Sequence, residues 1–174
     1  MKYCYLLIPM LFILSGCAQK KLSEEQLASE KKAVEARIQQ MMDGMSKEDM
    51  SSLMGLISPA EFLGFGTDSA EVLRNAAEFR EQTKNEFVMN DKFEFSKPHI
   101  LAVSVSDNAD LAASLVETPA EVVMHGKPMH MLIRLAQTWR KENGKWMMIN
   151  LLFQVASTGQ STAELVRKMT EKKM

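Results

Sequence analysis

Residues 134–157 read RLAQTWRKENGKWMMINLLFQVAS, and the Asn143-Gly144 pair inside them decides how the second half of the chain folds. Asn-Gly between alternating apolar residues is a strong hairpin signal, because both residues accept the positive φ of a tight two-residue turn. The spacing predicts strands near 129–140 and 145–155. Ser106-Asp107-Asn108 and His125-Gly126-Lys127-Pro128 are further turn signals, so two more strands are expected near 92–105 and 110–124. Strands joined in order by short turns make an antiparallel meander. Pro119 has no N–H to give a ladder, and a bulge or kink is expected at that point.

Alternation also assigns faces. Trp146, Met148, Asn150, Leu152 and Gln154 share one side of the last strand, and Met147, Ile149, Leu151, Phe153 and Val155 share the other. The second set is wholly apolar and reads as packing. The first has the make-up of a small-molecule site, a few polar groups in an apolar wall, so Asn150, Gln154 and Trp146 are candidate ligand-binding residues. Arg134 in the neighbouring strand joins them, because its forked donors suit a carboxylate or phosphate. Each has a plainer alternative. The two amides can satisfy one another or the backbone, and Arg134 can pair with an acid such as Glu71.

Before residue 92 the apolar period lengthens from two to near 3.6. Ser23-Glu24-Glu25-Gln26 has the form of a capping box, and Leu27, Val34, Ile38, Met41 and Met45 continue as one helical stripe closing near Gly44. A shorter helix is expected over 46–57, ended by Ser58-Pro59, followed by a short glycine-containing strand over 61–66. Asp68-Ser69-Ala70-Glu71 reads as a second capping box opening a helix that runs to about Met89, with Asp68 as N-cap rather than proton shuttle. Ser161-Thr162-Ala163-Glu164 reads as a third, opening a C-terminal helix. The order of elements is α+β, with helices covering one side of the sheet.

The amino terminus, MKYCYLLIPMLFILSGCAQKK, carries one cation, an apolar run and then small residues. The run is too short to span a bilayer and reads as a cleaved signal. Leu14-Ser15-Gly16-Cys17 resembles the lipobox of bacterial lipoproteins. That resemblance implies a diacylglycerol thioether on Cys17, whose acyl chains anchor the chain to membrane lipid. Ala18 in the next position implies the outer membrane if the host is Gram-negative. The organisation is then signal 1–16, lipidated tether 17–22, domain 23–157 and helical extension 158–174. Removing 1–16 from 174 residues leaves 158, with 20 basic and 22 acidic side chains, and no basic patch that would suit nucleic acid. Of the two cysteines, Cys4 leaves with the signal and Cys17 carries lipid, so no thiol remains for a disulfide, metal or nucleophile. No cofactor motif is present.

Two segments, FLGFGTDSAEVLRN (62–75) and the opening stretch 134–157, resemble the signature segments of SnoaL-like domains. These belong to the nuclear transport factor two-like superfamily, which also holds ketosteroid isomerase and scytalone dehydratase. The resemblance covers about 24–157 and implies a cone-shaped curved antiparallel sheet with N-terminal helices on its concave face. It also implies a pocket between them and, often, a homodimer through the sheet. Relatives tend to carry His, His and Ser where this chain has Asn150, Leu152 and Gln154, so chemistry carried by those imidazoles is in doubt. Ketosteroid isomerase chemistry uses an Asp base with Tyr and a protonated Asp as oxyanion donors, whereas both tyrosines here, Tyr3 and Tyr5, lie in the signal.

The expectation is therefore a lipid-anchored domain that binds a small apolar or amphipathic ligand, or a protein partner, without catalysis. An isomerase, cyclase or hydrolase using the pocket is the alternative. A second alternative is copper binding by Met124, His125, Met129, His130 and Met131, since methionine sulfur and imidazole suit Cu(I). Pairing Met124 with Met129 puts methionines and histidines on opposite faces, which weakens that reading. His99 reads as structural.

Overall fold

The computed structural model describes residues 21–156; the signal, Cys17 and the 158–174 extension lie outside the described residues. Three long strands, β5 (Leu111–Met124), β6 (Lys127–Glu142) and β7 (Lys145–Ala156), form the meander. Both turns are two residues long with positive φ throughout, 51° and 72° at His125-Gly126 and 49° and 78° at Asn143-Gly144, the sense of twist that continues the strands. The first turn is therefore tighter than expected. It pairs Met124 with Lys127 and Val122 with Met129, in place of Met124 with Met129. Lys127 and Pro128 thus lie in the strand, and Gly126 N donates to Asp91 Oδ2 at 2.8 Å.

The expected 92–105 strand is two strands, β3 (Lys92–Phe95) and β4 (His99–Val105), both paired with β5. Pro119 explains the division. β5 and β6 keep continuous register through Pro119↔Leu132, so the expected kink in β5 is absent. Ser96 N donates to Pro119 O at 2.9 Å; because N and C=O of a strand residue point the same way, the missing N–H faces the edge. The edge strand breaks there instead, at 96–98.

The other side of the sheet is completed by β1 (Leu63–Phe65), parallel to β7, and β2 (Val72–Leu73), antiparallel to β1. The strand order β2-β1-β7-β6-β5-β3, with β4 also on β5, gives a curled, unclosed, mostly antiparallel sheet. Its concave face receives α1 (Glu24–Ser46), which starts at the expected capping box: Gln26 N donates to Ser23 Oγ and Ser23 N to Gln26 Oε1. Val34, Ile38, Met41, Met42 and Met45 are its buried face. Arg37 staples α1 to the sheet and the next loop, donating through Nε to Trp146 O at 2.9 Å and through Nη2 to Gly55 O at 2.7 Å.

The helix expected over 46–57 shrinks to α2 (Met50–Met54). Glu48 takes φ 54° and Asp49 caps anew, while Leu56 and Ile57 bury themselves as backbone partners of β7 through Met148 N→Leu56 O and Ser58 N→Met148 O. The helix expected from Asp68 starts later, as α3 (Ala76–Met89) capped by Asn75. Glu71 does reach back to the Asp68 amide as a capping box requires, but Asp68 Oδ1 accepts from Ala70 N in a turn. Val72 and Leu73 then gain more by pairing with β1 than by winding.

One irregularity sets the faces of β7. Trp139 pairs with Met148 and Thr138 with Asn150, leaving Ile149 as an extra residue. Before this bulge Trp146 and Met148 face inward; after it Leu151, Phe153 and Val155 do, opposite the inward Gln137, Leu135 and Ile133. Strict alternation over 146–155 is therefore corrected: Asn150, Leu152 and Gln154 turn to the outer face.

A buried polar chain stitches the core. Trp139 Nε1 donates to Ser114 Oγ at 3.1 Å, Ser114 Oγ donates to Gln137 Oε1 at 2.9 Å, and Gln137 Nε2 contacts Met41 Sδ on α1 at 3.1 Å. Trp139 is fully buried, and Ser114 and Gln137 nearly so. Replacing Ser114 by Ala strands an indole N–H and an amide oxygen at once, and a buried orphan costs about 1–3 kcal/mol. Ser114→Ala is expected to lower the denaturant midpoint by that order with an unchanged slope. A loss below about 0.5 kcal/mol would show that the chain contributes little.

Candidate functional site

Between α1, α3 and the far half of the sheet lies a cavity of about 230 Å³. Met41 and Met45 come from α1, Phe79, Gln82, Thr83 and Glu86 from α3, and Val122, Met124, Met131, Leu151, Phe153 and Val155 from the sheet. The helix and strand periods established above place all of these inward. Phe65, Met89 and Met129 form an exposed rim, Met89 at 54% exposure. Methionine supplies much of the wall, and its unbranched, polarizable side chain adapts to guests of different shape.

One end of the cavity is polar. Glu71 Oε2 accepts from the backbone N–H of Thr67 at 2.6 Å and of Asp68 at 3.0 Å, and Oε1 accepts from Gln82 Nε2 at 2.9 Å. Gly66 makes room for this, since a Cβ there would lie 2.1 Å from Glu71 Oε2. Gln82 Nε2 also donates to Glu86 Oε1, at a long 3.3 Å. Asn90 Nδ2 donates to Glu86 O at 2.9 Å, while its Oδ1 is buried without a partner among the described residues. Burial pushes the Glu86 carboxyl above its ordinary value, and the Glu71 charge adds to this, against the opposing bond from Gln82. Glu86 is thus a carboxyl held in apolar surroundings beside a second acid, the arrangement that shifts such groups toward neutrality.

The residues expected to bind ligand lie elsewhere. Asn150 Nδ2 donates to Leu63 O at 3.0 Å and fastens β1 to β7. Gln154 is exposed on the outer face opposite Arg134, whose Nε donates to Glu117 Oε1 at 2.9 Å, not to Glu71. Trp146 is buried in the core, its Nε1 donating to Glu30 Oε2 at 2.9 Å. None of the four lines the cavity; the β7 bulge is the reason for Asn150 and Gln154. Met124, Met129 and Met131 border the cavity while His130 is exposed on the outer face, 3.8 Å from Glu121. Among the described residues no three His, Cys, Asp or Glu side chains gather as a metal site. Gln82, Glu86 and Asn90 were not singled out from sequence. Their signal is two amides and an acid at successive steps of four along one helix edge, beside the apolar stripe of Phe79 and Thr83.

The sequence profile of the SnoaL-like domain family matches residues 34–153, which hold the second half of α1 and everything from α2 to β7 short of its last residues. The chain belongs to the SnoaL-like family. Solved structures of similar shape include a ketosteroid isomerase-like protein from Erwinia carotovora atroseptica, at 17% identity and TM-score 0.67, covering 78% of this chain and 99% of that one. A nuclear transport factor 2-like superfamily protein from Salmonella enterica has 18% identity and TM-score 0.64, covering 78% and 97%. A hexachlorocyclohexane dehydrochlorinase from Novosphingobium barchaimii has 10% identity and TM-score 0.64, covering 80% and 95%. At these identities the likeness carries the fold, an NTF2-like cone, and no residue role. No curated protein matches the chain.

The raised Glu86 value has a sign that can be checked in this SnoaL-like domain. A carboxyl whose folded value lies above its unfolded one favours folding fully below the unfolded value, near 4.5, and that contribution is lost as pH rises through the folded value. Glu86→Gln, which keeps shape and stays neutral, is expected to raise Tm by a few degrees at pH 7 and by little near pH 4. A destabilised variant at pH 7 would show that the ionised carboxylate is held by favourable partners instead.

Proposed function

We propose that this chain is a cell-envelope lipoprotein, anchored through acylated Cys17, whose SnoaL-like domain takes up a small apolar or amphipathic molecule in the α3–sheet cavity without transforming it. The carrying observation is the cavity itself: a methionine- and phenylalanine-lined space with its few polar groups gathered at one end. At about 230 Å³ it lies under the usual range for drug-sized ligands, roughly 300–1,000 Å³, which favours a guest of one ring or a short chain.

The start of the domain fits an anchor close to the bilayer. Leu22 N donates to Asp107 O at 2.9 Å and Lys21 pairs with Asp107 at 3.1 Å, so the fold begins four residues after Cys17, a reach of at most about 14 Å. Asp107 sits at the turn before β5, and the cavity rim at Met124 is at that strand's other end. Along a 14-residue strand that is a separation of roughly 40 Å. An anchored domain would then hold its cavity away from the membrane surface, open to the aqueous phase.

A second reading rests on Glu86. A carboxyl raised by burial at the end of an apolar cavity is suited to general acid–base work near neutral pH. Two of the similar structures are of a ketosteroid isomerase-like protein and a hexachlorocyclohexane dehydrochlorinase. Among the described residues no imidazole lines this cavity, so Glu86 would have to act with polar neighbours such as Gln82, Thr83 and Asn90. Turnover that Glu86→Gln abolishes would replace the binding reading with this one.

Two measurements test the proposal. Cys17→Ser is expected to abolish labelling by radioactive palmitate and to release the protein from the membrane fraction; persistent labelling would refute the anchor. Screening small apolar and amphipathic compounds by thermal shift is expected to find one that raises Tm by roughly 5–11 °C at a hundredfold excess over its Kd, about 2.7 kcal/mol. Met129→Trp, which fills the rim, is expected to remove that shift without lowering the unliganded Tm. A shift that survives the substitution would place binding outside the cavity.

A further inference from the structure

We infer that the cavity selects guests by a hydrogen-bond donor head, and most strongly a protonated primary amine carried on a compact apolar body. This deepens the binding reading above and rests on it. The unsatisfied groups of the Glu86–Asn90 cluster at the cavity's polar end are acceptors. Among the described residues Asn90 Oδ1 is buried with no partner, and its orientation is set because Nδ2 donates to Glu86 O at 2.9 Å. A buried acceptor without a donor is unfavourable, and a guest that supplies one removes the penalty on binding. Glu86 Oε1 receives only the 3.3 Å bond from Gln82, and among the described residues its other oxygen receives none. Glu71, by contrast, is already engaged by two backbone amides and Gln82.

Charge points the same way. Glu71 and Glu86 line the cavity, and among the described residues no Lys, Arg or His does. An anionic guest would meet two carboxyls with no cation among these residues to answer it. A neutral alcohol could donate to Asn90 Oδ1, and the Thr83 hydroxyl can turn to accept or donate as needed. An ammonium offers three donors, enough for Asn90 Oδ1 and the Glu86 carboxylate together, and charge-assisted bonds are roughly twice as strong as neutral ones. The rest of the guest meets Met41, Met45, Val122, Leu151 and Phe153, a wall that rewards apolar area and is indifferent to its detailed shape.

The test titrates the full-length chain in lipid nanodiscs with 2-phenylethylamine, 2-phenylethanol and phenylacetate at pH 7, following the methionine methyl signals by NMR. The amine is expected to bind about tenfold more tightly than the alcohol and to shift the Met41, Met45 and Met131 methyls, with phenylacetate weakest. Glu86→Gln is expected to weaken amine binding most and to bring amine and alcohol within about threefold of each other. Asn90→Leu should weaken both; if it fails to fold, because Asn90 also closes the end of α3, the isosteric Glu86→Gln still decides. Equal affinities for all three compounds, or a preference for phenylacetate, would overturn donor selection and leave the binding reading standing. An amine preference untouched by Glu86→Gln would overturn the assignment to this cluster. If none of the three moves a cavity methyl, both readings fall together.

Discussion

The cavity and the core exist together because of the extra residue in β7. A regular strand crossing from the α1 side to the cavity side would have to turn either Trp146 and Met148 or Leu151, Phe153 and Val155 toward solvent, since side chains alternate strictly. Ile149, unmatched between Thr138 and Asn150, shifts the alternation by one, and both sets then face α1 and α3. Bulges also increase local twist, and the sheet curls at this point around the helices. The inward-facing Trp139 sits at the bulge and is tied through Ser114 and Gln137 to Met41 on α1. This buried polar link thus borders the place where the strand changes face.

Much of this is legible in the sequence because it is local. The capping box at Ser23, the Asn143-Gly144 turn and the change of period near residue 92 depend on neighbours a few positions apart, and the α+β meander follows from them. What escaped is set by distant partners. Whether Pro119 bends its own strand or breaks the next depends on which ladder its missing N–H faces. Whether Val72 and Leu73 wind or extend depends on β1 being within reach. The bulge at Ile149 is invisible in an apolar run where either face would be accepted, and it moved Asn150 and Gln154 from cavity wall to outer surface. The polar cluster was hidden for the opposite reason, since Gln82, Glu86 and Asn90 on a helix read as ordinary solvated residues until the sheet covers them.

The polar end of the cavity is a place where the fold gives up stability. Burial raises the Glu86 carboxyl above its ordinary value, and among the described residues Asn90 leaves an acceptor unmatched. Natural folds tolerate such groups mainly where something else completes them. Glu71 is different in kind. Held by Thr67, Asp68 and Gln82 above a glycine that cannot be enlarged, it supports the loop and presents Gln82 to Glu86. A carboxyl that braces a loop and one that borders the cavity with few partners therefore sit side by side, separated by one amide.

The break between β3 and β4 has a consequence for how copies behave when crowded. A long, straight outermost strand offers a row of free backbone groups on which another copy can polymerise. Here the outermost strand is interrupted at 96–98, opposite Pro119, and irregular again between Ile100 and Ala102, and Lys92 and Glu94 project from it. Pro119, by forcing that interruption, protects the sheet against growth into fibres from the side where it would otherwise be most exposed.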